Sequence, residues 1–392
     1  MRYRTLLVYL VAFAAFLGPF SQTIYVPIIP EVTKELQTTS FLVNFSISIY
    51  TVFLALMQMV YGPLTDSIGR RKVMLSGLFI YLAATIGCYF SESIEFLLVF
   101  RSLQAVGIAA GSVVAVTVIG DLFDGKDRIQ PMGTFQMMVS LGPVAGPVAG
   151  GFISGSFNFH MIFIALLCVG FIVLAGNFLF LKETKPTTLK KQKFRFADFI
   201  KILQSPIGYS VIGLGFIQYY AMYNFLVFLP GIMSERYGLT VEQKGLVFLP
   251  LSLGIVVGSF VGGKMRRFNE RKVIVYSAFL NVIALLLFIL ISNISLPLLL
   301  VSISLFGFFL GMSLPVQTAL LTQEFQSNRA TAIGAYNFFR YMGMSVGPLL
   351  GSFLFHVGSY QFVYGFLEIM LFLFVIMMSN QLLRKQRSAY EI

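Results

Sequence analysis

Gly62-Pro63-Leu64-Thr65-Asp66-Ser67-Ile68-Gly69-Arg70-Arg71-Lys72 separates two long apolar runs. Each run reaches the roughly 20 residues that carry a helix across a bilayer. Arg70, Arg71 and Lys72 follow the first run directly, and cations at the end of a span mark its cytoplasmic side. The stretch is therefore a short cytoplasmic turn between two membrane spans, with Asp66 its lone carboxylate, at the same membrane surface.

Composition extends this reading to the whole chain. Of 392 residues, 57% are hydrophobic and 11% charged, whereas soluble domains carry about 25% charged residues. A soluble globule is excluded. The net charge of +12 is a matter of topology. With the quoted loop inside, the cytoplasmic side collects Arg2, Arg4, Lys126, Arg128, a cation-rich stretch at 182–205, Lys264, Arg266, Arg267, Arg271, Lys272, Arg329, Arg384, Lys385 and Arg387. The other side keeps Lys34, Arg236 and Lys244. Both termini are expected in the cytoplasm of a cell-membrane protein, with basic loops touching anionic lipid headgroups and no role in nucleic-acid binding. Cys88 and Cys168 fall inside apolar runs, and His160 and His356 stand apart, so neither a disulfide framework nor a metal site is indicated. No phosphate-cradling loop occurs and no cofactor is called for. The first apolar run lacks a cleavage site and reads as a retained helix.

Twelve spans fit, at 5–29, 41–65, 73–91, 95–120, 130–155, 159–181, 206–233, 242–264, 273–293, 296–323, 330–356 and 360–383. The segment 182–205 divides them into two bundles of six, at 1–181 and 206–392. The bundles repeat. Gly62, Arg71, Lys72 and Val73 recur as Gly262, Arg271, Lys272 and Val273; Arg128, Gly133, Gly142, Gly146, Pro147 and Gly150 recur as Arg329, Gly334, Gly343, Gly347, Pro348 and Gly351. Two homologous bundles form the layout in which a midplane site opens alternately to each side. Arg266 stands where Asp66 stands in the first copy, and Asn269 where Gly69 does, so the halves are not equivalent.

Three motifs carry a resemblance. The loop Gly62-x-x-x-Asp66-x-x-Gly69-Arg70-Arg71 resembles the signature of the major facilitator superfamily. Arg101 in Phe100-Arg101-Ser102-Leu103-Gln104 resembles its fourth-span arginine motif. Gly142-x-x-x-Gly146-Pro147-x-x-Gly150-Gly151 is similar to the fifth-span element of its drug:proton antiporters. Taken alone, such small-residue spacing is ordinary helix packing. Gln22-Thr23-Ile24-Tyr25-Val26-Pro27 with Gln58-Met59-Val60-Tyr61-Gly62-Pro63 is similar to the bicyclomycin/chloramphenicol-resistance exporters. Those carry an acidic residue where this chain has Thr23. The resemblance implies an all-α fold of twelve spans and a transporter, not an enzyme. It implies multidrug or metabolite efflux of small amphipathic molecules by proton antiport, in a monomer within a bacterial plasma membrane. It also implies that Asp66 caps the start of span eleven near Arg329, that Arg70 pairs with Asp121, and that Gly62, Gly69, Arg71 and the span-five glycines belong to the conformational switch.

The intramembrane charges are Arg101, Arg340 and Glu368. An arginine at that depth is costly unless it meets water or a partner. Arg101 is thus either a ligand and coupling group or a structural tie to backbone carbonyls. Glu368 is either the proton carrier or a protein-facing carboxyl. Thr23, Tyr50, Gln104, Gln136, Gln218, Tyr219, Tyr223, Asn337 and Tyr341 complete the candidate substrate residues, because a polar tip within a span needs a partner. Two positive groups and no carboxylate in the first bundle's cavity spans suit an anion, so an organic-anion exporter or exchanger stands beside the drug exporter. A non-coupled lipid scramblase-like or sensor protein on the same fold is the third reading.

Overall fold

The computed structural model describes residues 2–24, 29–156, 158–185, 196–239 and 241–387. Among them there is no strand. In chain order the helices are α1 (Arg2–Thr23), α2 (Ile29–Glu35), α3 (Ser40–Ile68), α4 (Arg70–Tyr89), α5 (Ile94–Leu122), α6 (Ile129–Ser156), α7 (His160–Phe180), α8 (Phe196–Gln204), α9 (Pro206–Tyr237), α10 (Val241–Gly263), α11 (Glu270–Ile291), α12 (Leu296–Glu324), α13 (Arg329–Val357) and α14 (Tyr360–Arg387). Apart from α2 and α8, all reach spanning length. Among the described residues, nine helices are both long and apolar enough to cross a membrane. The helix starts are written locally: the Thr39 and Ser93 hydroxyls accept from the amides of Leu42 and Phe96, at 3.4 and 3.5 Å.

The chain divides into two units. The first holds Met1–Asp124, Met138–Arg195 and Gln326–Ala335; the second holds Gly125–Met137, Phe196–Phe325 and Tyr336–Ile392. A simple cut at 182–205 does not describe this division, because the first turns of α6 and α13 each belong to the opposite unit from the rest of their helix. Helix α5 is central to the first unit, packing on α1, α3 and α4; α12 takes the same part in the second, against α9, α10 and α11. Lipid tails are as apolar as leucine, so helices associate through close van der Waals packing. Small residues supply it. Gly107 approaches Tyr81 and Gly77 of α4 at backbone distance, and Gly307 and Gly311 approach Leu251 and Ile255 of α10 likewise.

Two expectations change. The span placed at 5–29 ends at Thr23, with residues 25–28 outside the described part and a separate short helix, α2, from Ile29. Pro30 sits in the first turn of α2, where its missing N–H costs nothing. The segment 182–205 contains α8, amphipathic, with Phe199 and Ile202 buried.

Candidate functional site

Gly69 makes the turn between α3 and α4 possible. Its φ of 109° is a backbone conformation that only glycine adopts freely. The bend brings Arg70 back beneath α3, where its Nη1 donates to the Thr65 carbonyl at 3.1 Å. Arg70 Nε donates to Asp121 Oδ2 at 2.8 Å, and Arg329 Nη1 donates to Asp121 Oδ1 at 2.7 Å. Asp66 meets the first turn of α13: the Thr331 amide and hydroxyl each donate to its Oδ2 at 2.9 Å, and the Ala330 amide reaches Oδ1 at 3.4 Å. Arg70 Nη2 lies 3.6 Å from the same carboxylate. A carboxylate at a helix N-terminus satisfies amides that have no partner in the helix and offsets its dipole. Gly62 permits the approach, since a Cβ there would lie 2.9 Å from the Ala330 carbonyl oxygen.

One more carboxylate beyond the quoted loop joins these ties. Glu183, just after α7, accepts from the amides of Arg70 and Arg71 at 2.9 and 3.3 Å, capping α4. Thr184 donates to Asp121 Oδ2 at 3.1 Å, and Lys185 Nζ donates to the Ser67 carbonyl at 2.9 Å. Arg71 Nη2 donates to the Phe178 carbonyl at 2.9 Å. In the second unit Asn269 does the capping itself, accepting from Arg271 and Lys272. There Glu270, standing where the first copy has Arg70, lies in the field of Arg128 and Lys126. Glu270 was legible as a charge reversal within the repeat. A carboxylate at the head of a cation-rich segment was the only sign of Glu183.

Arg101 is fully buried on α5. Its Nη1 donates to the Ser21 carbonyl at 3.1 Å and to Gln104 Oε1 at 2.6 Å, and its carbon lies 4.4 Å over the Tyr50 ring. Tyr50 donates to the Gly18 carbonyl, and Gln104 Nε2 donates to Thr85 Oγ1. These contacts tie α1, α3, α4 and α5 together. Thr23 turns to backbone, donating to the Pro19 carbonyl at 2.8 Å and reaching that of Gly142 at 3.2 Å. It also meets the wall formed by Gly146, while Gly142 lies on the backbone of α1 and Gly150 on that of Ile24, just after it. The repeat preserves this contact: Gly343 and Gly347 of α13 lie on the backbone of α9, and Gly351 lies against the Asn224 amide. Pro147 and Gly151 lie on α6 outside the residues whose surroundings are described.

In the second unit Gln218 Nε2 donates to Asn281 and Ser313, and its Oε1 accepts from Gln317 Nε2 at 2.9 Å. Gln317 Oε1 accepts in turn from Tyr336, a residue sequence reasoning missed. Arg340 donates from Nη2 to Tyr219 Oη at 2.7 Å and from Nη1 to Asn337 Oδ1 at 3.4 Å. Tyr223 and Tyr341 interact electrostatically with the same guanidinium. Gln136 is buried near the start of α6. Glu368 is half-buried on α14, and its Oε2 has no partner among the described residues. No group of three or more potential metal ligands occurs among the described residues.

Residues 11–212 and 211–388 match the family described as the Major Facilitator Superfamily. The chain is 28% identical over 362 residues to the MFS-type transporter YdgK of Bacillus subtilis, covering 89% of each. It is 27% identical over 301 residues to citrate exporter 1 of Aspergillus niger, covering 68% of this chain and 57% of that protein. Its structure is similar to that of the proton:xylose symporter XylE, with a TM-score of 0.80, 13% identity and coverage of 96% and 95%, a likeness of fold alone.

Proposed function

Because the chain belongs to the major facilitator superfamily, a family of membrane transporters and not of enzymes, we propose that it is a secondary active exporter of small amphipathic organic molecules. It works by alternating access in the cell membrane and is driven by proton antiport. The observation that carries this reading is the set of ties at the start of α13, where Asp66 receives its first amides and Asp121 receives Arg329 together with Arg70. These are hydrogen bonds and ion pairs at helix ends, which water or lipid headgroups replace when the ends part. Such contacts suit a junction that is made in one transport state and broken in the other. Similarity to citrate exporter 1 supports export as the direction. Glu368, a carboxylate within an apolar helix with one oxygen unpartnered among the described residues, supports proton coupling.

Arg340 supports a second reading, an organic-anion exporter or exchanger, because phenols and an amide surround it and no carboxylate does so among the described residues. The test is reconstitution in proteoliposomes under an imposed pH gradient, with cationic, neutral and anionic compounds. The expected result is uphill solute movement with counterflow of protons. Solute exchange that ignores the pH gradient would replace the proton-driven reading with the exchanger. Phospholipid flipping without solute transport would overturn both.

A further inference from the structure

Arg340 is a charged group held by everything except a charge. Its guanidinium carbon lies 4.1 Å from the Tyr219 ring centroid and 5.4 Å from that of Tyr336. Nη2 is taken by the Tyr219 phenol, Nη1 makes only a long contact to Asn337, and Nε has no partner among the described residues. Gly215 leaves the space for this cluster: a Cβ there would lie 2.6 Å from the Tyr336 ring and 3.3 Å from Arg340 Cγ. Ion pairs are formed elsewhere among the described residues, on Arg70, Arg329 and His160 for example. Arg101 differs, because its Nη1 is engaged twice, on a carbonyl and on Gln104, within a tie of four helices.

The chemistry of such a cage is directional. Guanidinium stays protonated under all relevant conditions, and within a membrane a charge without a counter-ion is costly unless water or a ligand meets it. Tyr219 Oη accepts from Arg340, so its own proton remains free to donate elsewhere. An arriving carboxylate would find two donors, Nε–H and the Tyr219 O–H. Aromatic faces beside them take an apolar body better than a hydrated one. Tyr223 and Tyr341, partly exposed, interact with the same guanidinium.

We propose that Arg340, Tyr219 and Tyr336 form the recognition site for a small organic carboxylate with an aromatic or otherwise apolar body. The inference rests on the export reading above and names its substrate class.

The test uses purified full-length protein in lipid nanodiscs and three compounds of one shape: 2-naphthoate, its neutral amide and the corresponding methylamine cation. Calorimetry is expected to show the acid binding at least tenfold more tightly than the amide, with the cation weakest. Arg340→Gln should abolish the acid–amide difference and Arg340→Lys should reduce it. Arg236→Gln, at an exposed position outside the cluster, should preserve it. Equal binding of acid and amide, or no binding of the acid, would overturn the proposal. Counterflow of the neutral amide in proteoliposomes separates this failure from that of the export reading. Amide counterflow that persists without acid preference removes only the carboxylate site, whereas counterflow absent for all three compounds removes transport as well.

Discussion

Replacing Asp66 by Asn tests the tie at the start of α13 with one atom exchanged. Asp66 accepts from the Thr331 amide and hydroxyl, both at 2.9 Å, and from the Ala330 amide at 3.4 Å, with Arg70 Nη2 at 3.6 Å. Asparagine keeps one acceptor oxygen and turns an NH2 group toward donors on the other side. A carboxylate at a helix N-terminus stabilises by about 0.3–1 kcal/mol, and up to about 2 when partly buried. Asp66 is buried, so the upper figure applies. Loss of the Arg70 contact adds little, because Asp121 still holds that guanidinium at 2.8 Å. A change of about 2 kcal/mol shifts a two-state balance roughly 30-fold. The expected outcome is a population displaced toward the inward-open state, with slower transport and unchanged membrane insertion. The assay is the spin-label distance between Ile68 and Ser327, both exposed, with Cys88 and Cys168 replaced beforehand. A distance distribution that is the same in wild type and Asp66→Asn would refute the reasoning. Thr331→Val provides a graded control: it keeps the amide donor, loses the hydroxyl, and should shift the balance less.

Glu183→Gln should weaken the cap on α4 by about 0.3–1 kcal/mol, seen as a lower thermal midpoint and as faster hydrogen exchange at the Arg70 and Arg71 amides; unchanged exchange there would exclude a capping role. Glu270→Arg and Arg128→Glu should each destabilise the second unit, and the double exchange should recover part of the loss in a thermal-unfolding cycle, because like charges replace an attraction in each single variant. Additive losses in the double variant would show that the two groups are not coupled. Glu368→Gln should abolish proton-driven uphill transport while leaving downhill exchange; intact uphill transport in this variant would remove Glu368 from the mechanism.

The sequence by itself determined the solvent, the number of long helices and the internal repeat. A bilayer demands about 20 apolar residues for each crossing, and that requirement is written in composition and spacing without reference to any distant residue. The small residues Gly142, Gly146 and Gly150 were equally legible, because helix approach through lipid depends on a period of four along one helix. Beyond the Asp66 cap and the Arg70–Asp121 pair, which the family resemblance implied, tertiary structure decided which polar groups meet. Asp121 takes Arg329 as well as Arg70, and Glu183 caps a helix that begins 113 residues earlier. Arg101 and Arg340 look alike as lone arginines in apolar runs. Arg101 is engaged by the Ser21 carbonyl and Gln104, while Arg340 lies between the rings of Tyr219 and Tyr336 and donates to Tyr219 and Asn337. Hydrophobic spacing fixes where a side chain sits along its own helix. Its partners come from other helices, and only the packed fold brings them within hydrogen-bond distance.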